Sequence, residues 1–190
     1  MRMTKPVELH DVSQVLTTGS CPVCTLLKND QAALLRNHVL RDDAIEICNF
    51  HGWALAAASD SDSGAQAFLN VLRGRTCTLA DADRQCTFCS YLAQHELTHI
   101  REILEQMEKP SLLDWMQQHG TFCLVHAGHI RELAPPRMHP VIDHILERNK
   151  KELQARLENL LRRSEGGKGA GGGILGRAAE FLVAQRGIHP

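Results

Sequence analysis

Four short pairs of cysteine and histidine constrain this chain more than any other feature of its sequence. Cys21-Pro22-Val23-Cys24 is a CxxC and Cys48-Asn49-Phe50-His51 a CxxH. The same order then recurs as Cys86-Thr87-Phe88-Cys89 and Cys123-Leu124-Val125-His126. The gaps between pairs are 23 residues in the first copy and 33 in the second. An internal repeat defines the unit of structure, and here each copy supplies four potential ligands, with Cys77 left over. Zinc accepts thiolate sulfur and imidazole nitrogen in a tetrahedral shell, and three cysteines with one histidine are an established structural set. Two ligands separated by two residues grip one ion from a tight turn or a helix's first turn, and the long gap lets a second element bring up the other pair. Read in order, Cys21, Cys24, Cys48 and His51 form one site and Cys86, Cys89, Cys123 and His126 the other. That predicts two Zn2+ ions per chain.

Other chemistries use the same residue types. A cysteine can also be a small buried hydrophobe, but two CxxC pairs each followed by a CxxH leave little room for that reading. A thioredoxin-like CxxC belongs beside a βαβ pattern, which neither Cys21 nor Cys86 has. An iron–sulfur cluster is usually held by four cysteines, with histidine in special cases, and stands as the alternative cofactor. A disulfide framework would need an oxidising compartment. Neither a signal peptide in residues 1–10 nor an uncharged apolar stretch of bilayer length is visible, so a cytoplasmic location with no membrane span is expected. A formal net charge of −1 gives no general attraction to nucleic acid or an anionic membrane.

With 190 residues and aromatics at 4%, the chain favours helix over sheet. The apolar spacing predicts helices over about 11–16, 22–40, 65–72, 87–107, 123–133, 140–163 and 174–183, with another opening at the first CxxH. Pro22 suits a helix's first turn, and Ser111 followed by Asp114 resembles an N-terminal cap for a short helix ending at Gly120. The Asp/Ser/Gly cluster 60–64 reads as a break. The expected fold is all-α. Residues 1–135 would form a duplicated metal-binding domain of two helical hairpins, about 21–73 and 86–134, each clasped by its own Cys3His site. Residues 136–190 would add C-terminal amphipathic helices around a Gly-rich linker, 166–173. That linker is no phosphate-binding loop, because Lys168 is followed by glycine and no strand precedes it.

His95-Glu96-Leu97-Thr98-His99 spells HExxH, the zinc-protease signature, in which two histidines share a helix face and the glutamate activates a metal-bound water. A third ligand is required, and none is obvious in the same helix. Short patterns also arise by chance in a chain with 11 histidines. His10, His38, His139, His144 and His189 lack ligand spacing, while His129 follows His126 closely enough to support it. Trp53 and Trp115 are expected to fill the core between hairpin arms, and Cys77 to be buried and inert.

The stretches Cys-Pro-Val-Cys, Ile47-Cys-Asn-Phe-His, Cys-Thr-Phe-Cys and Phe122-Cys-Leu-Val-His resemble an uncharacterised bacterial family of unknown function defined by two CxxC…CxxH units. Arg177-Ala-Ala-Glu-Phe-Leu-Val-Ala resembles its closing helix. The resemblance implies a paired metal-binding helical architecture and carries no known reaction, so no catalytic residue is assigned. The expected function is a zinc-stabilised helical module that binds a protein partner. The alternatives are a redox or metal sensor built on the thiolates and a metalloprotease acting through His95, Glu96 and His99.

Overall fold

The computed structural model describes residues 12–16, 19–39, 46–58, 61–74, 86–164 and 172–184. Among them every regular element is helical. In chain order these are α1 (Val12–Leu16), α2 (Pro22–Val39), α3 (Asn49–Ala58), α4 (Ser61–Gly74), α5 (Thr87–Met107), α6 (Pro110–His119), α7 (Leu124–Leu133), α8 (His139–Ser164) and α9 (Gly172–Val183). A 3-10 turn at Pro136–Met138 precedes α8. Cys77, His10 and His189 lie outside the described residues.

The chain divides into two compact units, one holding residues 27–98 and the other residues 9–26 together with 99–189. The helices α2 and α5 each begin in one unit and end in the other. In the first unit Leu35 of α2, Leu55 of α3, Ala67 of α4 and Phe88 of α5 form a buried cluster with Cys86. The side chains that α3 buries are His51 and Leu55, four apart on one face. Trp53 sits two residues from each, hence on the opposite side, and is 74% exposed. This corrects the expectation that it fills the core.

In the second unit α8 packs against α6, α7 and α9, and α7 also packs against α9. The buried side chains of this unit include Met107, Met116, Phe122, Ile130, Ile142 and Ile145. The C-terminal end of α6 is held by Arg148 of α8, whose guanidinium donates to the carbonyls of Gln117 and Gly120. Carbonyls at a helix end have no partner within the helix, and a cation there also complements the helix dipole.

Two local expectations are corrected. The helix expected at 65–72 begins at Ser61, so part of the supposed break belongs to its first turn, with Asp62 placed where the dipole favours an acid. The N-cap of α6 is Lys109, with no side-chain cap. Pro110 starts that helix, its missing N–H costing nothing there, and the Ser111 pattern plays no capping part.

Candidate metal centres

The four motifs share one backbone geometry. In each, the carbonyl of the first cysteine accepts from the N–H four residues on: Thr25 to Cys21 at 3.1 Å, Gly52 to Cys48 at 2.8 Å, Ser90 to Cys86 at 3.1 Å and Ala127 to Cys123 at 2.9 Å. Every motif therefore opens a helix, with the first ligand just before it and the second in its first turn. At α7 the Cys123 Sγ also accepts from the His126 N–H at 3.4 Å, so the thiol itself caps the helix. A helix N-terminus presents unsatisfied N–H groups and partial positive charge, which favours thiolate.

The structure gathers all eight residues into two clusters, and it exchanges their partners. Cys21 and Cys24 stand with Cys123 and His126, while Cys48 and His51 stand with Cys86 and Cys89. Within each cluster one potential ligand atom per residue lies within 4.8 Å of all the others. The sequential grouping, with each hairpin clasped by its own four ligands, is thus corrected. Its physical obstacle is α2. An 18-residue helix separates its ends by roughly 27 Å at 1.5 Å per residue. Cys48 follows the far end of α2, so to rejoin Cys21 the connection 40–48 would have to run nearly extended along the whole helix.

The cluster of the second unit is the more deeply buried of the two. All four residues are buried, Cys24 and His126 completely. His126 Nδ1 lies 3.6 Å from Cys21 Sγ, 3.2 Å from Cys24 Sγ and 3.2 Å from Cys123 Sγ, and Cys24 and Cys123 are 3.8 Å apart sulfur to sulfur. Burial and the neighbouring thiols Cys123 and Cys24 push the Cys21 thiol up, toward the neutral form. Cys123 is held well below the ordinary thiol range by hydrogen bonds from Cys21 and Cys24, with burial opposing and His126 assisting.

The cluster of the first unit repeats the tripod and is more open. His51 Nδ1 lies 3.3 Å from Cys48 Sγ, 3.5 Å from Cys86 Sγ and 3.4 Å from Cys89 Sγ. Cys48 and Cys89 are 3.8 Å apart sulfur to sulfur, and both are partly exposed. Phe88 stacks on the His51 ring, centroids 5.3 Å apart, and fixes its orientation. Burial pushes Cys89 up to about 12, with the Cys86 charge adding to it. For Cys48 burial is outweighed by the backbone N–H groups of His51 and Phe50 and by the other two thiols, which together lower it. Burial also lowers His51, keeping the imidazole in the neutral form a metal needs.

The HExxH stretch lies in α5. Its first histidine, His95, contacts the carboxylate of Asp30 through Nδ1 at 2.9 Å, and Tyr91 stacks on the ring with centroids 3.9 Å apart. Asp30 is a buried acid, 4% exposed; burial, with the Asp30 charge adding to it, raises Tyr91. Sequence reasoning missed it, since nothing in the sequence marks Asp30 as facing α5. His99 pairs instead with Glu102 at 3.3 Å, three residues on. Of the remaining histidines, His129 is exposed and meets the His126 ring edge-on at 6.4 Å. His139 is half-buried with Nε2 3.2 Å from the Ala134 carbonyl.

No family model, no curated protein and no solved structure matches the chain, so the geometry of the two clusters carries the functional argument.

Proposed function

We propose that this chain holds two zinc ions, one in each Cys3His cluster, and that the ions close its helices into a module that acts by binding another protein. The observation that carries the reading is the pair of tripods in which one imidazole nitrogen faces three sulfurs. Around a single zinc ion with Zn–S of about 2.3 Å, the edge between two thiolates is about 3.8 Å, and a nitrogen–sulfur edge is about 3.6 Å. The sulfur–sulfur separations of 3.8 Å and nitrogen–sulfur separations of 3.2–3.6 Å suit one tetrahedral ion. An iron–sulfur cluster interposes several atoms between its cysteines and needs them further apart, so it receives less support. Four protein ligands fill the shell and leave no place for a substrate, as in structural zinc sites. Membership of the two-unit CxxC…CxxH family belongs to the same proposal.

Elemental analysis of protein purified without air tests this. It should return two zinc per chain in a colourless preparation, and strong chelation should remove helical circular dichroism, because metal binding at such sites is folding energy. Metal-free protein with an unchanged spectrum would falsify the structural role. A brown preparation would mean a cluster.

The buried Asp30 carboxylate on His95 favours a second reading, a metalloprotease using His95, Glu96 and His99, since metal-bound histidines are commonly oriented by such a partner. Glu96→Ala should then abolish casein hydrolysis by the loaded protein. Hydrolysis unaffected by the substitution, or absent from the unmodified protein, ends that idea.

A further inference from the structure

In the second unit a cleft of about 260 Å³ reaches the buried cluster, and Cys21 and Cys123 form part of its lining. The helices α8 and α9 supply its charged walls, through Arg156 of α8 and through Arg177 and Glu180 of α9. Among the described residues none of these three has an ion-pair partner, whereas Glu152, also in the lining, is engaged by Arg148 at 3.7 Å. Asn149 of α8 lines the cleft as well. Its Oδ1 accepts from Arg148, which settles which end of the amide is which, and its Nδ2 is buried with no partner among the described residues. A buried donor without an acceptor is costly, and this nitrogen, closed off from solvent beside the cleft, gains an acceptor once the amide turns outward.

We propose that this cleft binds a small zwitterion of amino-acid or short-peptide size, with its carboxylate taken by Arg156, Arg177 and the Asn149 amide and its ammonium by Glu180. Planar guanidinium groups match a carboxylate in two-pronged fashion. Two of them beside an unengaged donor set the need for an anionic group, and the lone free carboxylate sets the need for a cationic one. Phe181 and Leu153 add apolar lining for the body of the molecule. The occupant would cover Cys21 and Cys123, the two cluster members that the cleft reaches, and so restrict access of oxidants and chelators to that cluster. Recognition by these walls does not depend on which metal the cluster holds.

The test uses the full chain, with zinc content measured on the same samples so that the state of the clusters is reported separately. Glutamate and glycylglycine are the zwitterionic probes, succinate carries carboxylates alone, and putrescine carries ammonium groups alone. Side-chain nitrogen NMR signals of Arg156, Arg177 and Asn149 should shift saturably with a zwitterion at millimolar concentration. Zinc transfer from this cluster to a coloured chelator should slow severalfold at saturation. R156Q/R177Q should abolish both responses at unchanged zinc content, and E180Q should erase the preference for glutamate over succinate. The absence of a saturable shift with either zwitterion overturns the proposal, as does an equal response in R156Q/R177Q. Succinate binding as tightly as glutamate to the unmodified protein overturns the zwitterion assignment.

Discussion

The first cysteine of each motif does two things at once. Its carbonyl starts a helix by accepting from the fourth residue on, while its thiol turns to the cluster. All eight members of the clusters were legible in the sequence, because CxxC and CxxH are local patterns with local geometry. Their grouping was not, since it depends on where long helices deliver their ends. Metal counting separates the two groupings. Cys21→Ser and Cys123→Ser should each remove one and the same zinc, and combining them should remove no more. Cys21→Ser with Cys48→Ser should remove both ions, where sequential sites would lose one. Protonation gives a second prediction at this scale. Burial holds Cys21 and Cys89 as neutral thiols in the metal-free chain, and both must ionise to bind metal. Zinc uptake should therefore release protons and tighten as pH rises, with release weakening it as pH falls. Cys123, already held as thiolate, should contribute no proton, so calorimetry in buffers of different ionisation enthalpy should count fewer protons than ligating thiols.

At the scale of the elements, helix positions followed from apolar spacing and from proline. The helices α5 and α2 begin where Thr87 and Pro22 were expected to begin them. What spacing could not reveal was which face meets a neighbour. The sequence places Trp53 in the core, yet α3 buries the face that carries His51, and the tryptophan lies opposite. Phe88 shows the reverse. Nothing in the CxxC pattern marks its third residue as core, and Phe88 is fully buried against the His51 ring. Phe88→Ala should cost about 3–5 kcal/mol, read as a lowered thermal midpoint, and should loosen zinc in the first unit's cluster more than in the other. The turn after α6 is tight for a different reason. A Cβ on Gly120 would stand 2.6 Å from Met116 Cε and 2.7 Å from the Met116 carbonyl oxygen. The methyl can swing away but the carbonyl cannot, so Gly120→Ala should cost about 1–3 kcal/mol, measured by denaturant unfolding.

For the whole molecule, two clusters of the same composition differ in exposure. Cys48 and Cys89 are partly exposed, whereas all four residues of the other cluster are buried. Zinc transfer to a chelator should be biphasic, with the first unit's ion leaving first, and Cys48→Ser should delete the fast phase alone. The nesting of the two ligand sets also imposes a schedule on the growing chain. Translation delivers residues in order, at about 5–20 per second. The inner set is complete once Cys89 has emerged, but Cys24 and His126 are 102 positions apart. The first thiols made are thus the last to be closed, and for roughly 5–20 s they stand exposed to any competing metal or oxidant. With zinc in both clusters as proposed, a cell that makes this protein must either keep those nascent thiols reduced or accept mismetallated chains, and the cost falls on the more deeply buried cluster.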